Sequence, residues 1–167
     1  MFVDEINLTV FSGAGGSGSV SFNNISTKSS PNGGSGGVGG SVKISVSPDL
    51  HDLSHIISNS SLKAENGSDG NKNYQNGKNG EELELNVPSG TQVFIDNKLH
   101  ADLHERESSY TVIEGSRSGR GNFDLVSKRN PNPQICEQGQ KRHKVNIKLV
   151  YSIYSDLAII GLPNAGK

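Results

Sequence analysis

Residues 33–40 read Gly-Gly-Ser-Gly-Gly-Val-Gly-Gly, so that a pair of glycines returns at every third position. A period of three is neither the period of an α-helix nor the two-residue alternation of a β-strand. It is the period of the polyproline II helix, in which every third residue returns to one face, and glycine there lets neighbouring backbones approach closely. The stretch therefore predicts extended coils that pack against one another.

Weaker echoes of this spacing recur far apart along the chain. They are Gly13 with Gly16, Gly15 with Gly18, Gly67 with Gly70, Gly77 with Gly80, and Gly115, Ser118 and Gly121, where serine takes the middle position. A flexible linker is the usual meaning of a Gly/Ser-rich stretch. Here a strand pattern, residues 41–47, follows the run directly, and the echoes adjoin strand patterns in the same way. This favours an ordered unit.

Alternating apolar and polar residues predict β-strands for much of the remaining chain. The apolar sets are Ile6, Leu8 and Val10; Val42, Ile44 and Val46; Leu83, Leu85 and Val87; and Val145, Ile147, Leu149, Tyr151 and Ile153. Turn formers such as Ser89-Gly90 and Asp96-Asn97 lie between such runs. The one helix-like stretch, residues 49–57, is short and weakly periodic. We therefore expect a mainly β body.

Composition limits the classes of protein that remain. A chain of 167 residues is long enough for one domain, or for one domain and the beginning of another. Its net charge of -1 argues against binding of nucleic acid or anionic membrane by the whole surface, so such binding needs local patches. No apolar run is long enough for a membrane span, and the first residues carry acids where a signal peptide carries bases. These features predict a cytoplasmic protein.

The C-terminal end carries a nucleotide-binding pattern. A short apolar run, residues 157–160, is typical of a buried parallel strand. It is followed by G-x-x-x-x-G-K, formed by Gly161, Leu162, Pro163, Asn164, Ala165, Gly166 and Lys167. In such a loop, backbone N–H groups surround a phosphate and the lysine reaches the outer phosphates. The Ser or Thr that usually follows and holds magnesium is beyond the sequence given. We therefore expect no catalysis by these residues alone.

The order of these motifs resembles one known family. The motifs are MFVDEINLTVFSGAGGSGSVSF (1–22), PNGGSGGVGGSV (31–42), NGKNGEELELNVPSGTQVFI (76–95), GSRSGRGNF (115–123), NPNPQICEQG (130–139) and DLAIIGLPNAGK (156–167). The series is similar to the amino-terminal glycine-rich domain of the Obg GTP-binding proteins. It covers essentially the whole chain.

The resemblance implies both a fold and a function. The fold is mainly β: a small β-barrel base carries a bundle of glycine-rich, left-handed polyproline II-type coils over residues 1–156, and residues 157–167 are the first strand and phosphate-binding loop of a GTPase domain. The implied function is that of a GTPase in assembly of the large ribosomal subunit. The full-length protein would bind GTP or GDP with Mg²⁺, whereas no cofactor, catalytic residue or metal ligand is expected in this chain, and a monomer is favoured.

Loops at the far end of the coils approach ribosomal RNA in this family, and the matching segments here are residues 23–32, 65–80 and 128–141. RNA binding requires positive charge there. The basic candidates are Lys28, Lys72, Lys78, Lys128, Arg129, Lys141, Arg142 and Lys144. The last five form the basic cluster expected to be the best contact surface, with a solvated loop face as the alternative.

Two departures from the family pattern predict weaker RNA binding. Residues 23–34 retain one basic residue, Lys28, where relatives commonly carry several, and Ser116 and Ser118 stand where relatives often have glycine.

The alternative function is a non-enzymatic, glycine-rich structural or interaction module with an accidental G-x-x-x-x-G-K. Two histidine pairs, His51/His55 and His100/His104, have a spacing that can bind zinc on helices, but their strand or loop context argues against a metal site.

Overall fold

The computed structural model describes residues 3–23, 29–56, 60–105 and 108–152. Ten strands lie in these ranges: β1 (Glu5–Phe11), β2 (Phe22–Asn23), β3 (Ser30–Pro31), β4 (Val42–Val46), β5 (Ser61–Lys63), β6 (Leu83–Val87), β7 (Thr91–Ile95), β8 (Lys98–Leu103), β9 (Ser109–Ile113) and β10 (Lys144–Tyr151). The same ranges contain no helix, and hence none that is long and apolar enough to cross a membrane. The expectation of a mainly β body is confirmed.

Two sheets form the base of the molecule and share one core. The five-stranded sheet has the order β5-β1-β10-β7-β8 and the three-stranded sheet the order β6-β4-β9. Alternate residues of both sheets are buried against each other: Ile6, Leu8, Val10, Val93, Ile147 and Leu149 from the first, and Val42, Ile44, Val46 and Val87 from the second. The two-residue alternation in the sequence therefore marks the inner face of each strand correctly.

The small closed barrel expected for the base is not found among the described residues. The five-stranded sheet ends at β5 and β8, and the three-stranded sheet ends at β6 and β9; among the ten described strands, no ladder joins one sheet to the other. Closing a barrel requires each edge strand to pair with another. Here β5 is only three residues long and too short to extend a ladder. The base is two open sheets packed face to face.

Strands β5, β7, β8 and β9 are not among the strands that the sequence alternation identifies. Four of the six residues of β8 are exposed, and they lie on both faces of the strand. Its sequence therefore has no clear apolar face. The connection between β7 and β8 was signalled by its turn residues, because Asp96 and Asn97 both adopt left-handed φ values, 49° and 61°. Two such residues form the tight hairpin turn that matches strand twist. The helix-like stretch from residue 49 forms turns up to residue 56.

Six extended segments form a bundle on this base: the first (12–21), second (32–41), third (64–71), fourth (75–81), fifth (114–122) and sixth (137–143). Each contains glycine, and the sixth contains only Gly139. Backbone hydrogen bonds join them with a step of three residues. Between the first and second segments, for example, Gly13 N, Gly16 N and Ser19 N donate to the carbonyls of Gly40, Gly37 and Gly34. The run that looked like a linker is an ordered set of backbone contacts.

Candidate functional site

The third and fourth segments bind their neighbours through Asn-Gly and Asp-Gly pairs. Asn79 Oδ1 accepts the backbone N–H of Val38 at 2.9 Å, and the next residue, Gly80, donates its N–H to the carbonyl of the same Val38 at 2.8 Å. The same pairing recurs for Asn66-Gly67 on Ala14, Asp69-Gly70 on Ser17, and Asn76-Gly77 on Ser35. Each pair therefore satisfies both backbone groups of one residue on the adjacent segment.

Glycine is required in this bundle by close approach of backbones. A Cβ added to Gly37 would lie under 3.0 Å from the backbone of Lys78 and Asn79, closer than real Cβ atoms come. None of the bundle's glycines needs a left-handed φ, since Gly90 in the base is the one glycine with positive φ among the described residues. The glycine pattern therefore encodes the distance between segments and not a series of turns.

Asn122 fastens the far end of the bundle. Its side chain is fully buried; Oδ1 accepts the N–H of Gly33 at 2.8 Å, and Nδ2 donates to the carbonyls of Ser21 and Pro133 at 3.0 and 3.3 Å. One amide thus joins the ends of the first and second segments to the loop that precedes the sixth. Because a buried amide must have partners, this network fixes the position of the loops beyond it.

Aromatic side chains are exposed at this far end. Tyr74 and Phe123 are 50% and 48% exposed, and their rings meet edge to face with centroids 4.8 Å apart. Tyr74 has a φ of 61°, a conformation that is strained for a bulky residue, and its N–H donates to the carbonyl of Asn32. The fold thus holds an apolar pair in water at the end of a rigid bundle.

The basic candidates do not form a single cluster. Lys72, Lys128 and Arg129 are exposed at the far end of the bundle, on the loops that carry Tyr74 and Phe123. We call these five residues the tip surface. Lys78 is exposed halfway along the fourth segment. Lys28 lies outside the described residues.

Lys141, Arg142 and Lys144 lie at the opposite end, next to the sheets. Lys144 pairs with Phe11 in the β1–β10 ladder, and the carbonyl of Lys141 accepts a hydrogen bond from the Ser116 hydroxyl. The step from Gly13 to Ser19, which spans the bundle, corresponds to about 19 Å of extended chain. The expected cluster of five bases is therefore divided between the two ends, because the sixth segment runs back along the bundle.

An ion pair joins the fifth and sixth segments on the side of the bundle. Arg120 Nε and Nη2 donate to the two carboxylate oxygens of Glu137 at 2.9 and 2.6 Å. These hydrogen bonds lower the pKa of Glu137 to about 2 and raise the pKa of Arg120. A paired Arg120 is less available to an external anion than Arg117, for which the described part of the chain supplies no ion-pair partner.

Serine takes two positions where glycine was expected, and the structure accommodates both. Ser116 is buried, and its hydroxyl donates to the carbonyl of Lys141 at 2.9 Å and lies 3.1 Å from the hydroxyl of Ser12. Ser118 is half-buried. The serine hydroxyl of residue 116 therefore adds a link between the first, fifth and sixth segments.

The phosphate-loop pattern, residues 161–167, lies outside the described residues, so its geometry stays a prediction. In each of the two histidine pairs, at least one histidine contacts a group outside the pair: His55 Nε2 is 2.9 Å from the carbonyl of Asn86, and His104 Nε2 is 2.7 Å from Asp102. No group of three potential metal ligands occurs within the described ranges.

Comparison with known proteins identifies the family to which this chain belongs. The profile of the GTP1/OBG family matches residues 3–153. The chain belongs to this family. Among its GTP1/OBG relatives are proteins named GTPase Obg from Nautilia profundicola, 38% identical over 100% of this chain and 48% of the relative, and from Mycoplasmopsis agalactiae, 39% identical over 99% and 40%. The protein of that name from Geobacillus thermodenitrificans is 38% identical over 100% of this chain and 40% of its own length. The chain thus spans less than half of the length of these relatives.

Sequence reasoning missed the Asn-Gly and Asp-Gly pairs that hold this GTP1/OBG domain together. The signal was present, since residues 66–70 and 76–80 read NGSDG and NGKNG, with an amide or acid at every third position before glycine. Glycine spacing alone does not reveal the hydrogen-bonding role of the residue before each glycine. The exposed Tyr74–Phe123 pair had no signal in the sequence, because it depends on which loops meet at the end of the bundle.

Proposed function

We propose that this chain is the amino-terminal, RNA-facing part of a monomeric cytoplasmic GTPase that acts in assembly of the large ribosomal subunit. GTP or GDP with Mg²⁺ would be bound by the domain that begins near residue 157. Family membership and the name shared by the relatives support GTP binding and hydrolysis by the complete protein. The G-x-x-x-x-G-K pattern is in keeping with this role.

The tip surface is the observation that carries the RNA-facing part of the proposal. Two exposed aromatic rings, Tyr74 and Phe123, lie among three basic residues, Lys72, Lys128 and Arg129. Basic groups bind phosphates without regard to sequence, and aromatic faces stack on unpaired bases. A surface with both groups suits RNA loops or single-stranded RNA better than a regular duplex, whose bases are already stacked.

The bundle explains how this surface is kept in place. Period-three hydrogen bonds and the Asn122 network tie every segment to neighbours far away in the sequence. A surface that is rigid before it binds loses less conformational entropy on binding than a flexible loop does. We infer that the bundle acts as a stiff arm, which extends the tip surface into RNA while the base stays near the nucleotide-binding domain.

We also infer that the six segments are left-handed polyproline II-type coils, as the resemblance implies. Three features support this conformation: the three-residue step of the hydrogen bonds, the lack of positive φ among the bundle's glycines, and the absence of helix or strand within the segments. Backbone couplings measured by NMR for Gly16 and Gly37 test it, because φ values far from about -75° would exclude this coil.

Co-sedimentation with large ribosomal subunits tests the function. The complete protein should sediment with subunits more strongly in GTP than in GDP, and charge reversal at Lys128 and Arg129 should reduce the bound fraction and its salt dependence. Lys43→Glu, on the outer face of the three-stranded sheet, is the matched control. Binding that is equal with both nucleotides, or unchanged in the Lys128/Arg129 variant, would contradict the proposal. The 167-residue chain itself should show no GTP hydrolysis.

A further inference from the structure

We propose that the outer face of the five-stranded sheet is a second, separate site for single-stranded RNA. A groove of about 660 Å³ crosses strands β1, β10 and β7 on this face. The residues that line it include Asn7, Thr9, Phe94, Lys144, Asn146 and Lys148, and we call this set the sheet groove. It deepens the proposed RNA-facing function and rests on it, but it lies at the end of the molecule opposite the tip surface.

Strand register places these side chains in rows across the face. Asn7 is opposite Lys148, which is opposite Phe94, and Thr9 is opposite Asn146. Their sequence neighbours, such as Leu8 and Ile147, point into the core. The polar face is therefore fixed by the same alternation that builds the core, and its side chains are held on regular strands.

The charge of the sheet groove favours an anionic ligand. Lys144 is exposed and has no ion-pair partner within the described chain, whereas Lys148 is paired with Glu5 at 2.7 Å. Lys63 extends the basic area, since its Nζ lies 5.7 Å from the centre of the Phe11 ring and Phe11 pairs with Lys144. Asp96 is the one acid that lines the groove.

The remaining side chains of the sheet groove favour nucleotide bases over inorganic phosphate as the ligand. Asn146 Oδ1 accepts the Thr9 hydroxyl at 3.0 Å, which leaves its Nδ2 group to donate to a ligand, and the Asn7 amide offers both a donor and an acceptor. Phe94 is half-buried, and the part of its ring that lines the groove can stack on any nucleotide base. The groove itself crosses three adjacent strands and is therefore about 10 Å wide, which suits one extended nucleic-acid strand better than a duplex.

The test is fluorescence anisotropy with a labelled oligouridine of about twelve nucleotides, a length within the usual single-strand site sizes. The double variant Lys63→Gln/Lys144→Gln should bind about fivefold or more weakly at low salt and lower the slope of log K against log salt by about 1.4, since each phosphate contact contributes about 0.7. Phe94→Leu should weaken binding by about tenfold. Lys43→Gln, a strand lysine on the other sheet, is the control, and circular dichroism checks that each variant is folded.

NMR locates the bound strand. Addition of the oligonucleotide should shift the side-chain amide signals of Asn7 and Asn146, and the shifts should be lost in the Lys63/Lys144 variant. The sheet-groove proposal is wrong if that variant and Phe94→Leu bind like the parent, if the parent does not bind, or if duplex RNA binds as tightly. A Lys128→Gln/Arg129→Gln variant separates the two sites: loss of binding in this variant alone would support the tip surface and overturn the sheet groove.

Discussion

Replacing Gly37 with alanine removes the space that lets the fourth segment lie against the second. The new Cβ would stand under 3.0 Å from the backbone of Lys78 and Asn79, and backbone cannot move away as a side-chain end can. The fourth segment must shift outward. Two hydrogen bonds then lengthen or break. In one, the N–H of Val38 donates to Asn79 Oδ1 at 2.9 Å, and in the other, the N–H of Gly80 donates to the carbonyl of Val38 at 2.8 Å.

The cost follows from the number of bonds that this shift strains. Besides the two bonds on Val38, Gly77 N–H to Ser35 and Ser68 N–H to Lys78 depend on the same segment. A lost hydrogen bond costs about 0.5 to 1.5 kcal/mol, so four cost about 2 to 6 kcal/mol. Alanine offsets about 0.4 to 1 kcal/mol by restricting the unfolded chain. We expect a net loss of about 2 to 5 kcal/mol, a large part of the stability of an ordinary domain.

Urea unfolding followed by circular dichroism measures this loss, and native-state hydrogen exchange locates it. In Gly37→Ala, the amides of Val38 and Gly80 should lose protection more than those of Ile147 in the core. Val38→Ala is the matched control, because Val38 is 41% exposed and its backbone bonds do not need the side chain; its effect should stay within about 0.5 kcal/mol. Equal midpoints for the two variants would refute the view that close backbone packing holds the bundle together.

Three further predictions concern single side chains. Asn79→Ala should cost about 1 kcal/mol in urea unfolding and deprotect the amide of Val38, whereas an unchanged exchange rate would contradict the role of Asn79. Asn122→Ala should cost about 3 kcal/mol, because it leaves several buried backbone groups without a partner; a loss no larger than that of Asn79→Ala would argue against it. Because the pKa of Glu137 is lowered from 4.5 to about 2 by Arg120, its contribution to stability is present above pH 4.5 and declines as pH falls toward 2. NMR titration of the Glu137 carboxylate should show this pKa, and Arg120→Gln should return it toward the ordinary value.

Local patterns in the sequence predicted the parts of the fold that depend on local rules. Alternation marked β1, β4, β6 and β10, and glycine spacing marked the bundle, because each is a repeating contact along one segment. The prediction of a closed β-barrel for the base was wrong, since the described strands form two open sheets. Whether sheet edges meet depends on strand lengths and on the path between sheets, and neither leaves a periodic pattern.

The site was harder to predict than the fold for the same reason. Lys128 and Lys141 are close in sequence, yet the sixth segment carries them to opposite ends of the bundle. Lys144 belongs to the basic cluster that the sequence predicts as an RNA contact surface, and the structure places it on a strand of the base. Basic residues that are close in sequence need not be close in space where extended segments run back and forth. About thirteen residues of extended chain are longer than the bundle itself.

The pairing of β1 with β10, which joins Glu5 to Val150, has a consequence for how the protein is made. The first segment is bound by the second, third, fifth and sixth. The amides of Ser12, Gly15 and Gly18 donate to carbonyls of the sixth segment, and these partners are synthesised more than a hundred residues later. Such a topology has a high contact order and folds slowly. During translation, the nascent N-terminal half must stay soluble without its partners, and its abundant Gly, Ser and Asn suit it to that interval.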